Sequence, residues 1–96
     1  MYRVTVARLA QRQLDHALAW YADRAPEQIG RLLNSAESAS KAITKSPFLS
    51  REVVPGMRRV ALRRFPYHLW YVVDGEEIVI VAMTHFRQDT SYLAVE

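Results

Sequence analysis

The sequence predicts an α+β fold of order β-α-α-β-β-β, a small, mainly antiparallel sheet with a helical hairpin packed on one face. Three observations carry that reading. Two stretches in the first half repeat apolar residues at three- and four-residue spacing, the period of an amphipathic helix. The run Arg58 to Arg87 is almost continuously apolar and aromatic, and it breaks once, at Asp74-Gly75. An Asp-Gly pair between β-branched runs signals a hairpin, expected here as a type I′ turn with φ > 0 at both central residues.

In chain order, Tyr2 to Val6 alternates with period two and reads as a first strand, with Tyr2, Val4 and Val6 on one face. Leu9 to Asp23 reads as a helix with the stripe Ala10, Leu14, Ala17, Leu18 and Tyr21, and Trp20 is expected to widen that stripe by packing on the sheet. Ala25-Pro26 separates the helices, because proline suits a first helical position. The second helix reads to about Thr44, with Ile29, Leu32, Leu33, Ala36, Ala39 and Ile43 inward. Gly30 either weakens that helix or marks close approach to the first. Ser46-Pro47 ends it. Residues 48–56 read as a loop, followed by strands Arg58–Phe65, Tyr67–Val73 and Glu76–Met83. The last two are apolar on both faces and so are expected to be central. The helices cover one face, which leaves the other as a candidate partner surface. The tail beyond Arg87 reads as a helical turn or a docked segment.

Ninety-six residues suit a single domain, 1–96, with one core. Cysteine is absent, which excludes disulfides and thiolate metal sites and fits a reducing cytoplasm. Three scattered histidines do not make a zinc site, so neither metal nor cofactor is expected. No apolar run approaches a bilayer span, and the N-terminus lacks a signal-peptide core.

The net charge of +3 is carried by eleven arginines and two lysines against ten acids. Arginine suits planar, bidentate contact with carboxylate or phosphate. Five arginines lie between Arg51 and Val73 against one acid, Glu52, so an anionic partner is expected, either nucleic acid or an acidic protein segment. On a strand running to Phe65, alternation sets Arg58 and Arg64 on one face and Arg59 and Arg63 on the other. Tyr67 and Tyr71 share a face, and Trp70 takes the opposite one. His68 reads as a structural or interface residue. His16 reads as solvated. His85 suits either proton transfer near neutrality or a hydrogen bond at the end of the sheet. Arg87 and Asp89 are placed to pair.

Taken together, these residues resemble the RelE/ParE toxin superfamily of bacterial toxin–antitoxin pairs. The resemblance covers nearly the whole chain. It rests on the Trp20-Tyr21 helix end, the Pro26 start and Ser46-Pro47 close of the second helix, Arg63-Arg64-Phe65-Pro66-Tyr67, Leu69-Trp70-Tyr71, and the ending Ala82-Met83-Thr84-His85-Phe86-Arg87. It implies a small basic toxin of the plasmid-stabilisation type, cytoplasmic and neutralised by a cognate antitoxin whose flexible segment lies along the toxin.

Two chemistries are known in that superfamily. RelE-like members resemble ribosome-dependent endoribonucleases that cut mRNA; ParE-like members act on DNA gyrase. A metal-independent ribonuclease needs a base, an acid and cations on the phosphate. The resemblance would assign this work to Arg59, His85, Arg87 and Tyr92, with Ala61, His68 and Gln88 where basic residues are commonly found. Ala61 cannot serve. The long helical hairpin and the ending His85-Phe86-Arg87-Gln88-Asp89 with Tyr92 look more ParE-like, although Gln88 and Thr90 depart from that pattern. The expectation is therefore a gyrase inhibitor that acts by binding, with Arg58, Arg59, Arg63, Arg64, Tyr67 and Arg87 contacting target or antitoxin. The alternatives are a ribosome-dependent mRNA endoribonuclease and an inactive relative that only binds antitoxin.

Overall fold

The computed structural model describes residues 1–93. Strand β1 (Arg3–Val6) leads into helix α1 (Arg8–Arg24), and a 3₁₀ turn (Pro26–Gln28) starts helix α2 (Ile29–Lys45). Strands β2 (Glu52–Val54), β3 (Met57–Ala61), β4 (Tyr67–Asp74) and β5 (Glu77–His85) follow, and a 3₁₀ turn spans Ser91–Leu93. The sheet order is β1-β5-β4-β3-β2, with β1 parallel to β5 and the other pairs antiparallel. The α+β class, the helical hairpin and the central place of the two apolar strands are as the sequence predicts.

The helices bury one face of the sheet. Ala10, Ala17, Leu32, Ala39 and Ile43 meet Leu69, Tyr71, Ile78, Ile80 and Met83, with Leu62 and Phe65 completing the cluster. The Tyr71 hydroxyl donates to the Pro47 carbonyl at 2.8 Å, which ties the end of α2 to the middle of the sheet.

Several local expectations are corrected. Glu52–Val54 is a strand, not part of a loop, because Pro55-Gly56 closes a tight hairpin onto Met57, with Gly56 at φ 78°. Proline followed by a residue of positive φ is the pattern of a type II turn. The strand expected to reach Phe65 ends at Ala61. Leu62 and Phe65 are both buried in the helix-side cluster. A strand would send residues three apart to opposite faces, so the chain must turn instead. Arg63 and Arg64 therefore sit in that turn, not on the two faces of a strand. Asp74 pairs with Glu77, and Gly75 alone of the two linking residues has positive φ, 62°. That fits a type II′ turn rather than type I′. A Cβ added at Gly30 would meet nothing within 4 Å beyond its own helix, so the glycine does not mark a close helix–helix approach. Leu33 is exposed rather than buried, at the rim of a shallow apolar groove with Val6 and Leu14.

A register shift between Trp70 and Tyr71 leaves Val81 unpaired in β5. Such a bulge reverses which edge of the strand the backbone groups face. Beyond it, the Met83 and His85 N–H groups point away from β4, past the end of β1. Side chains cap them: Met83 N–H donates to Gln13 Oε1 at 2.7 Å and His85 N–H to Gln88 Oε1 at 3.3 Å.

Candidate functional site

Two surfaces, on opposite sides of the sheet, hold the chemistry-bearing residues. The first is a cleft of about 700 Å³ between α1 and the ends of β4 and β5. Helix α1 contributes Arg12, His16 and Trp20 in one row and Gln13, Ala17 and Tyr21 in the next, each four residues apart. That spacing stacks side chains along one helix face. Pro66, Tyr67, Met83, His85 and Gln88 form the opposite wall, and no carboxylate lines the cleft among the described residues.

Trp20 is exposed and does not pack on the sheet. The Arg24 guanidinium lies 4.7 Å from its ring centre, and Tyr21 meets its edge at 4.9 Å. Tyr21 turns inward instead, against Phe65 at 5.7 Å. His16 is exposed at the cleft rim.

Tyr67 and His85 meet edge to face, ring centres 5.5 Å apart. Burial, and then the neighbouring Tyr21, raises the Tyr67 pKa above its ordinary value. His85 Nδ1 accepts the Arg87 backbone N–H at 3.1 Å, so the neutral ring carries its proton on Nε2 and presents a donor rather than a base. Gln13 and Gln88 both donate to the Tyr92 hydroxyl, at 3.3 and 3.2 Å, which ties the tail to α1. Arg87 is exposed and does not pair with Asp89. The Asp89 carboxylate accepts the Ser91 N–H instead, which lowers its pKa.

The second surface is the sheet face that no helix covers. Trp70 is only 2% exposed there. The Arg59 guanidinium lies 5.2 Å from its ring centre, and its Nε1–H donates to Thr84 Oγ1 at 2.8 Å. His68 approaches the Trp70 ring at 6.5 Å and stacks at a tilt on Phe86 at 4.5 Å. Burial, and then Arg59, lowers the His68 pKa below the usual imidazole value.

The sequence-predicted residues therefore separate into groups. Tyr67 and His85 line the cleft, and Tyr92 touches two of its lining residues, Gln13 and Gln88. Arg59 pairs with Trp70 and His85 with Tyr67, so alternation along β4 sends Arg59 and His85 to opposite faces of the sheet. Arg63 and Arg64 are exposed in the β3–β4 turn. Arg58 is half-buried, bonded to the Ser50 carbonyl, 3.5 Å from the Glu52 carboxylate and 5.0 Å over the Phe48 ring. Sequence reasoning passed over Gln13. The four-residue spacing of Arg12, His16 and Trp20 was a legible signal of a second α1 face, although nothing in it indicated what that face meets.

A family model described as the ParE toxin of the type II toxin–antitoxin system, parDE, matches residues 4–90. Toxin ParE2 of Mycobacterium tuberculosis, from strain CDC 1551 / Oshkosh and from strain H37Rv, is 30% identical over 95 residues, covering 98% of this chain and 90% of the relative. Among solved structures, the chromosomal ParDE system from P. aeruginosa superposes with a TM-score of 0.77 at 24% identity, over 88% of this chain and 96% of that one. The isolated E. coli RelE toxin superposes with a TM-score of 0.56 at 15% identity, over 97% and 93%. At these identities the two structures speak for the fold.

Proposed function

The chain belongs to the ParE toxin family of type II toxin–antitoxin systems, and from that premise we propose that it inhibits DNA gyrase by binding, without catalysis of its own. A cognate antitoxin neutralises it, and its target places its action in the cytoplasm. The observation that carries this reading is the separation of Arg59 from His85 across the sheet. A ribonuclease needs its cation and its proton-transfer group on the same phosphodiester. Two further features support binding. Ala61, paired with His68, offers no cation where a ribonuclease would use one, and the His85 nitrogen without a proton is already occupied by Arg87.

The contact residues we propose are Arg59, Arg63, Arg64, Tyr67 and Arg87. Arg58 acts through the segment it holds, because its guanidinium already has Ser50 and Glu52 as partners.

Purified toxin added to a gyrase supercoiling assay is expected to stop supercoiling or trap cleaved DNA. The double variant Arg63→Ala/Arg64→Ala is expected to need about tenfold more toxin, equivalent to about 1.4 kcal/mol of lost charged contact. An inert result with gyrase, together with codon-positioned cuts in a translation mix, refutes the proposal in favour of an endoribonuclease.

A further inference from the structure

We propose that the cleft between α1 and the ends of β4 and β5 binds a small planar aromatic acid, a carboxylate carried on a fused ring. This goes beyond the gyrase reading and does not rest on it.

The size and the walls suit such a ligand. At about 700 Å³ the cleft lies within the range of about 300–1,000 Å³ that small-molecule sites occupy. Trp20 on α1 and Tyr67 on the opposite wall line it, with Ala17, Tyr21, Pro66 and Met83 between them. A flat ring therefore finds an aromatic surface on both sides, the contact that aromatic pairs favour. Arg24 stacks on the Trp20 ring at 4.7 Å without lining the cleft, so it braces the indole from outside.

The polar groups assign the charge. Gln13 is already engaged at both ends, its Oε1 by the Met83 N–H and its Nε2 by the Tyr92 hydroxyl. Gln88 is engaged in the same way, by the His85 N–H and by Tyr92. What remains in the lining is Arg12, two imidazoles and two phenols, with no carboxylate among the described residues. His85 offers an N–H, since its Nδ1 already accepts from Arg87. Arg12 has no side-chain hydrogen bond or ion pair among the described residues. One guanidinium without a counter-ion matches one carboxylate, which it can take in a bidentate contact. Arg12 and Trp20 share one row of α1, about 12 Å apart along the axis. An arginine side chain and a fused ring bearing its acid together bridge that separation.

A peptide fits the same cleft less well. An extended chain would add to the edge of β5, where strand addition is held by main-chain hydrogen bonds. The two N–H groups it would need there, those of Met83 and His85, are capped by Gln13 and Gln88. A ring with one carboxylate needs neither of them.

The test is an NMR titration of the isolated toxin with 2-naphthoate, and with 2-naphthamide as its neutral counterpart. The Trp20 indole N–H signal is the readout. Trp70, buried on the other face of the sheet and bonded to Thr84, is the internal control. Naphthoate is expected to move the Trp20 signal saturably, with a Kd of about 1 mM for a ligand of this size, and to leave Trp70 in place. The amide is expected to bind about tenfold more weakly, and Arg12→Gln to weaken naphthoate by about the same factor. Arg12 is exposed on α1, so its replacement leaves the core intact. No saturable shift of Trp20 overturns the proposal, as does a shift of Trp70 as large as that of Trp20. Equal binding of the amide, or full binding by Arg12→Gln, overturns the assignment of an acid. Saturable shifts with an acidic peptide and none with naphthoate overturn the small-molecule assignment in favour of a protein segment. Gyrase is absent from the experiment, so a negative result here and a negative supercoiling assay refute different statements.

Discussion

Arg64 holds a left-handed backbone at φ 71°, the one non-glycine residue with positive φ among those described. An L-residue there carries about 1–2 kcal/mol of steric cost. The conformation is imposed from both sides. Leu62 and Phe65 are drawn into the core, and the Ser35 hydroxyl of α2 donates to the Arg63 carbonyl at 2.8 Å. The Leu62 N–H closes the turn on the Tyr67 carbonyl at 2.9 Å. Arg64→Gly is therefore expected to stabilise the fold by about 0.5–1 kcal/mol, after the greater freedom of glycine in the unfolded chain is deducted. A urea melt reads the change, and a lower midpoint would remove strain as the description of this residue. The arginine head group gains from the arrangement, since the turn holds it clear of the sheet.

At the scale of elements, α1 and α2 were legible because their stripes repeat over four turns, long enough for the 3.6-residue period to be unambiguous. The end of strand β3 was not, because five residues of alternation merge into a turn of similar composition. Strand β2 lay hidden in three residues, though Pro55-Gly56 marked its end. The same physics bears on Gly30. It sits in the first turn of α2, exposed, with open space where a Cβ would go. Gly30→Ala is expected to add about 0.5–1 kcal/mol of stability, measured by thermal or urea unfolding. A loss on that substitution would mean that the space beside Gly30 is not open in the folded chain. The bulge at Val81 had no sequence signal either. Val79 to Met83 reads as an ordinary apolar run, and only its pairing with β4 shows that one residue is extra.

Across the whole molecule, Gln13 joins parts that lie far apart in the sequence. It accepts from the Met83 backbone of β5 and donates to the Tyr92 hydroxyl of the tail. Gln13→Ala leaves the Met83 N–H without its partner, a loss of about 1 kcal/mol. Faster amide exchange at Met83 and a freer Tyr92 ring are the expected NMR signs; unchanged protection at Met83 would show that the cap is not what shields it. The chain's arginine content, its helix stripes, its apolar central strands and the Ala61 gap were properties of the sequence by itself, because composition and period survive without coordinates. They were sufficient for the fold class, while the resemblance to the family rested on particular motifs such as Arg63-Arg64-Phe65-Pro66-Tyr67 and the ending His85-Phe86-Arg87. Which residues share a surface was decided only in three dimensions. Strand pairing sent Arg59 and His85 to opposite faces, the core drew Leu62 and Phe65 in and so moved Arg63 and Arg64 off the sheet, and a single unpaired residue in β5 turned its edge toward α1. Each of these outcomes depends on register and burial between distant segments, and a local pattern carries no information about either.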